Sequence, residues 1–229
     1  MAVEHHGQKT EASFTDGLNA AEAEAFCALA RRRSFPAGST LFYEGDPPDD
    51  VVLVEEGQLK VSVTALDGQE VVLAVIEPGE LIGELSAIDG EPHSASAVAL
   101  TDCTVQIVTA DRFIKFLHDF PRVQWELLVQ VIVDLRRQSR RTFELGAGDA
   151  LGRVCGCLAE MAARYGVSDG EAVRLESPMS QTDMAAWTGL SREAVVKALR
   201  TLRSLGVIEN EGRSFVITDI DALRARADF

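Results

Sequence analysis

The stretch GLSREAVVKALRTLRSLG, residues 189–206, sets Arg192, Lys197, Arg200 and Arg203 against a single acid, Glu193, in a chain of formal net charge -14. A cation on a helix surface can serve a polyanion in two ways. It neutralises phosphate, which makes affinity salt-dependent, or it donates to base edges, which makes affinity sequence-dependent. Most charged helix faces do neither and are simply solvated. Other reactive spacings are scarce. Cys27, Cys103, Cys155 and Cys157 are even in number, but 229 residues without an export signal give disulfides little reason to form. Cys155 and Cys157 lie two apart in a helical pattern and so point to different faces, which disfavours a metal clamp. Buried free thiols are expected instead. A jelly-roll metalloenzyme would need three or four clustered ligands, and the strand-rich region offers only His93.

The cations need elements to hold them, and SQTDMAAWTGLSREAVVKALRTLRSLG, residues 180–206, supplies the signals for two crossing helices. Ser180 and Asp183 make a capping-box-like start, Ala185 is small enough for a close crossing, and Gly189 supplies the turn. Ser191 caps the second helix and Gly206 ends it. Val195 and Leu199 then face the core, while Arg192, Glu193 and Lys197 occupy exposed early turns. The run VIENEGRSFVIT, residues 207–218, reads as a hairpin around Glu211 and Gly212, completing a helix-turn-helix with a β-wing. Clustered bases and a dimer helix upstream favour DNA over a solvated face.

That upstream helix follows Pro121, where Gln124, Leu128, Val131, Leu135, Gln138, Thr142 and Leu145 keep an alternating spacing of four and three. Arg136, Arg137, Arg140 and Arg141 flank it and leave a narrow apolar stripe, the mark of a coiled-coil dimer. GAGD, residues 146–149, breaks the helix as a hinge and offers Asp149 as the next N-cap, with a helix expected over 149–165. Ahead of Pro121 the texture differs. LNAAEAEAFCALARRRSF has a helical pattern through Leu18, Ala25, Phe26 and Leu29. Short apolar or alternating runs (STLFYE, VVLVEE, LKVSVTAL, EVVLAVIE, ASAVAL, CTVQIV) then follow, punctuated by Gly45, Gly57, Gly68, Gly79 and Gly90. They predict a small antiparallel barrel or jelly roll. The fold class is therefore α+β, with a polar tail over 1–15, a β-roll sensor over 16–120, a dimerisation helix over 121–145 and a winged helix-turn-helix over 146–229.

Charge divides at the same place. Residues 1–121 carry 7 Lys and Arg against 21 Asp and Glu, whereas the remaining 108 carry 15 of each. A polyanion responds to the local field within a Debye length of ~8 Å, so acidity elsewhere does not forbid it. The N-terminus lacks an apolar stretch behind a basic start, and no apolar run nears the ~20 residues that span a bilayer. A soluble, cytoplasmic protein with no membrane partner and no catalytic role is the expectation.

The order of barrel, long helix, hinge and winged helix resembles the CRP/FNR family of bacterial transcription regulators, over residues 18–226. Two motifs carry the resemblance. GELIGELSAIDGEPHSASAVA is similar to the family's phosphate-binding cassette, Gly-Glu-Leu-(Ser/Ala) followed by a short helix and usually Arg-(Ser/Thr)-Ala. LSREAVVKAL is similar to its Ser-Arg-Glu-x-Val-x-Arg-x-Leu reading head. The resemblance implies a homodimer on palindromic, TGTGA-like half-sites, with RNA polymerase as a further partner. It implies that Arg192 takes a guanine, Glu193 accepts from a cytosine amino group, and Ser180, Thr182 and Ser191 hold phosphates. Lys197 stands where the family usually has a second Arg, and a lysine lacks the planar two-donor fork, so one position of the site should be relaxed.

For the sensor, the resemblance implies a cyclic nucleotide such as cyclic AMP (cAMP) at Gly83, Glu84, Leu85, His93, Ser94, Gln138 and Ser139. His93 replaces the arginine that would clamp the phosphate, so binding should be weak or the ligand different. As a bystander it would be a barrel-surface residue in a degenerate cassette, leaving a regulator that is ligand-independent or answers to another effector. Gln138 on the seam either fixes register or meets an adenine edge. An iron-sulfur sensor would need a cysteine cluster near the N-terminus, where Cys27 stands alone. Haem would need axial ligands, for which His93 is the one candidate, since His5 and His6 read as solvated. No metal or haem is expected.

Overall fold

The computed structural model describes residues 13–227 apart from 67, 171, 176–178 and 212–213. Contacts gather the chain into two compact units. One holds the residues up to Lys60 with Val75–Ile132, and the other holds Val61–Ala74 with Val133–Phe229. His5, His6 and most of the expected polar tail lie outside the described residues. The end of that tail is not polar surface, because Phe14 is buried against Phe26 with ring centroids 5.6 Å apart.

Helix α1 (Ala20–Leu29) is opened by a capping box in which Asn19 and Glu22 each accept the other's backbone N–H. It stops sooner than its sequence pattern suggests, because Arg31–Phe35 forms strand β1 and pairs antiparallel with β8 (Cys103–Thr109). Backbone pairing across the sheet overrides the helix propensity of three arginines. The other roll strands are β2 (Thr40–Phe42), β3 (Asp50–Glu56), β4 (Leu59–Thr64), β5 (Glu70–Ile76), β6 (Leu81–Ile82) and β7 (Ser96–Ala99). They make two four-stranded sheets, ordered β1-β8-β3-β6 and β2-β7-β4-β5. Every expected apolar run supplies a strand, while β1 and the two-residue β6 were not anticipated.

Strand β3 reads as continuous Val-Val-Leu-Val because both its faces are covered. Val51 and Leu53 join a cluster with Phe26, Phe113, Phe116 and Val123, while Val52 and Val54 are buried on the alternate face. That cluster needs α3 (Ala110–Asp119), whose Phe113, Phe116 and Leu117 sit at helical spacing. Pro121 then opens α4 (Pro121–Ala147), in keeping with the tolerance of a first helical turn for proline. Arg122 at its start donates to both carboxylate oxygens of buried Glu22 and to the Gly17 carbonyl. This pairing holds the Glu22 carboxyl below the usual carboxylate range.

On α4 the exposed apolar residues are Trp125, Leu128, Val129, Ile132 and Leu135. Leu128 and Leu135 stand on the expected seam, but Val131 is half buried and Ile132 takes its place. An unbent α-helix drifts off a strict heptad, which shifts the stripe by one position. The helix runs to Ala147, covering the first half of the expected GAGD break. Asp149 caps α5 (Ala150–Tyr165) by accepting from the Gly152 N–H at 2.7 Å.

In the second unit α5 is followed by β9 (Gly166–Asp169), β10 (Ala172–Leu175), α6 (Gln181–Thr188), α7 (Arg192–Ser204), β11 (Ile208–Glu211), β12 (Ser214–Ile217) and α8 (Ile220–Ala227). The expected hairpin is β11 and β12, but it belongs to a larger sheet ordered β11-β12-β10-β9. Cys155 and Cys157 are both buried on α5 despite their two-residue spacing. Burial pushes the Cys155 thiol up to about 11 and Cys157 higher still, so neither forms thiolate at neutral pH. Cys27 is exposed, contrary to the expectation of four buried thiols. Among the described residues no helix is long and apolar enough to cross a membrane, and no His, Cys, Asp and Glu cluster could hold a metal.

Candidate nucleic-acid interface and effector cassette

Helix α6 begins at Ser180, whose hydroxyl oxygen accepts the Asp183 N–H at 3.1 Å and donates to the Asp183 carboxylate at 2.7 Å. The carboxylate also accepts the Ser180 N–H at 3.0 Å, so the expected capping box is closed at both ends. The Ser180 hydroxyl proton is committed inside the cap, whereas the Thr182 side chain is exposed on the first turn. At the far end Gly189 adopts φ 63°, a left-handed conformation natural to glycine, which turns the chain into α7. The Leu190 N–H closes the turn on the carbonyl of Ala185, itself buried at the crossing.

Ser191 caps α7 by accepting the Ala194 N–H at 3.2 Å. Val195, Ala198, Leu199 and Leu202 form its buried face. Arg192, Glu193, Lys197 and Arg200 are exposed on the opposite side, and Arg203 is half buried. Glu193 is held below the usual carboxylate range by its own backbone N–H, then by the Ser191 hydroxyl and Arg192. It remains an acceptor-only anion at neutral pH. The surface thus offers three flexible cations around one acceptor, on a helix whose start is held by two caps. Arg200 shares this face although it was not singled out in the sequence.

The cassette lies in the other unit. Helix α2 (Glu84–Asp89) starts at Gly83, whose φ is 84°. A Cβ there would stand 2.7 Å from the Asp50 carbonyl oxygen and 3.2 Å from His93 Cε1, so glycine is required on both counts. Leu85 and Ser94 are exposed, Glu84 is half buried, and Ser86 is buried with its hydroxyl donating to the Pro92 carbonyl. His93 is not a barrel-surface residue. It is 5% exposed and stacks on Phe42 at 3.9 Å and 11° between ring planes. Its backbone is pinned as well, since its N–H donates to the Asp46 carbonyl and its carbonyl accepts from the Gly45 N–H.

Burial pushes the His93 imidazole below its usual value, opposed by Asp46, Asp49 and Asp50. Those aspartates are the charges around it, and they would repel a phosphate. Gln138 and Ser139 are exposed on α4 in the second unit, the serine donating to the Leu135 carbonyl at 2.9 Å. Two arginines were missed as functional groups. The Arg153 Nε donates to the Gly148 carbonyl at 3.0 Å, and Arg141, counted as a flank of the dimer helix, is a half-buried clamp. Nothing in their spacing distinguishes either from a solvated arginine.

A β-roll bearing a cassette helix, a long helix and a capped helix-turn-helix with a wing define a DNA-binding transcription regulator with a cyclic-nucleotide-type sensor. Comparison with known proteins agrees. Residues 32–120 match the cyclic nucleotide-binding domain and residues 152–226 match the Crp-like helix-turn-helix domain. The chain is 34% identical over 209 residues to the CRP-like cAMP-activated global transcriptional regulator of Mycobacterium tuberculosis, spanning 90% of this chain and 93% of that one. It is 31% identical to the cyclic AMP receptor protein of Thermus thermophilus over 84% of this chain and 86% of that one. The solved structure of FixK2 from Bradyrhizobium japonicum matches with a TM-score of 0.79 at 25% identity, over 87% of this chain and 98% of that one. This chain belongs to the CRP/FNR family of transcription regulators.

Proposed function

We propose that the protein is a homodimer that reads a palindromic duplex through α7 and is governed by an effector held in its β-roll. The exposed group of Arg192, Glu193, Lys197 and Arg200, opposite a wholly apolar face, carries the DNA reading. In it Arg192 donates to guanine O6 and N7, Glu193 accepts from a cytosine amino group, and Lys197 makes a single-donor base contact. Thr182 and Ser191 meet phosphates, while Ser180 contributes through its backbone because its hydroxyl is engaged by Asp183. The apolar stripe on α4 supports the dimer, which would set two recognition helices on half-sites one turn apart. RNA polymerase remains a proposed partner and the cytoplasm the proposed compartment.

In the sensor, Gly83, Glu84, Leu85 and Ser94 retain a cassette-like start and end, and Gln138 and Ser139 are the proposed α4 contributions. His93 makes cAMP a weak ligand or directs the site to a different one. The imidazole is neutral, stacked and faced by three aspartates, so it lacks the fixed charge of an arginine fork. Its burial gives the second reading, a regulator that binds DNA without an effector, its specific support. Calorimetry with cyclic nucleotides, followed by DNA binding with and without them, tests both. Tight cAMP binding that strengthens DNA affinity would overturn the weak-clamp argument. DNA affinity indifferent to every cyclic nucleotide favours the effector-independent reading.

A further inference from the structure

Arg141 makes contacts that a surface arginine of a dimer helix has no need of. One terminal nitrogen donates to the Leu73 carbonyl at 2.6 Å, and the other donates to the carbonyls of Val72 and Trp187, each at 2.6 Å. The guanidinium carbon also lies 3.9 Å from the centroid of the Trp187 ring. Every partner falls within one compact unit, Val61–Ala74 with Val133–Phe229.

Each acceptor is a carbonyl of a kind that regular structure leaves wanting. Strand β5 is the outer strand of its sheet, so Val72 and Leu73 lie where an edge lacks a neighbour. Trp187 is in the last turn of α6, where carbonyls have no intrahelical donor and the helix dipole favours a cation. The indole is the best aromatic partner for the same cation. A single rigid, planar group therefore meets three carbonyls and a ring together, which a lysine cannot do.

We infer that Arg141 is a positioning residue that fixes the start of the reading head to β5, so that DNA affinity depends on how that strand is held. α6 packs directly on α7, which carries Arg192 and Lys197, so a shift of Trp187 re-aims the base-contacting helix. β5 also carries Glu70, which accepts from the buried Ser62 hydroxyl of β4 at 2.7 Å. A change in the β4–β5 hairpin therefore reaches the Val72 and Leu73 carbonyls along one strand, and Arg141 passes it to Trp187. Without the clamp the competent orientation becomes one of several, and apparent affinity falls by the fraction that remains competent.

This rests on the DNA-binding reading above, and its test separates the two. Amide hydrogen exchange on the full-length Arg141→Ala and Arg141→Lys proteins is measured beside their DNA affinity. In Arg141→Ala, exchange over α6 should rise about tenfold or more while β3 and β8 remain as protected as in the parent. Affinity for cognate and random duplex should fall together, about tenfold, with their ratio unchanged. Arg141→Lys should recover less than half of either effect on a logarithmic scale. Unchanged exchange over α6 overturns the clamp whatever DNA does. Raised exchange with unchanged affinity overturns its role in positioning. A parent protein that binds no duplex overturns the DNA reading and this role with it, and is recognised by that result alone.

Discussion

Arg192 and Lys197 share an exposed face of α7 but differ in what they can ask of a base. The guanidinium offers a planar pair of donors and the ammonium a single point, so discrimination should rest on Arg192. Arg192→Ala should abolish preference for the cognate site, a loss of ~1–3 kcal/mol, and leave weak, salt-sensitive binding to any duplex. Competition assays against random DNA check this, and equal weakening of both would make Arg192 a phosphate contact. His93 gives a second test. Its folded value lies below the unfolded ~6.5, so the stability it contributes is full above that value. It is lost as pH falls from ~6.5 through the lower folded value. Thermal melts should show this acid-side loss in the parent and a smaller one in His93→Phe, with an NMR titration placing the imidazole below 6.5. A midpoint at or above the ordinary value would remove the argument for a neutral, buried ring.

At the scale of elements, α4 is decisive because one helix serves two surfaces. Val123 and Leu127 are buried in the roll's helical cluster, while Trp125, Leu128, Ile132 and Leu135 are left to solvent in a single chain. A stripe of that size on a soluble helix calls for a partner, and heptad-like spacing makes a second copy the economical one. Leu128→Asp combined with Leu135→Asp should yield monomers by light scattering and lose the tight binding of two half-sites. A double variant that stays dimeric would move the interface elsewhere. The seam was legible in outline from Leu128 and Leu135, but its register was not. Ile132 replaces Val131 because the straight helix drifts against the heptad, and which residues are covered depends on what packs behind. Helix α3 was legible too, since Phe113, Phe116 and Leu117 have helical spacing, but its shortness beside β8 hid it among strands.

For the whole molecule, net charge -14 and a nucleic-acid partner are reconciled by range. Bound phosphates lie within ~8 Å of α7 and feel its cations first. Binding should therefore persist at low salt and fall steeply as salt rises, with a log–log slope near -0.9 per phosphate neutralised. Arg200→Ala should weaken cognate and random duplex alike and reduce the steepness of that slope by about 1 for each phosphate it leaves unneutralised. A slope near zero for the parent would mean that the cations of α7 do not meet phosphate.

What the amino-acid sequence determined by itself was whatever local chemistry specifies. The caps at Asp149, Ser180 and Ser191, the turn at Gly189 and the two faces of α7 all follow from residues within one or two helical turns. Alternating apolar runs likewise specified most strands of the roll. Tertiary structure alone decided the rest, because it turned on groups distant in the chain. Arg31–Phe35 became a strand when β8 lay beside it, and Phe14 became core when Phe26 covered it. His93 was expected at the surface or on a phosphate and is instead stacked on Phe42 among acids, where desolvation holds its proton off. Arg141 was one of four alike until folding brought it two edge carbonyls and a tryptophan. A side chain's type limits what it can bind, but only the fold supplies the unsatisfied partners that decide which of those bonds it makes.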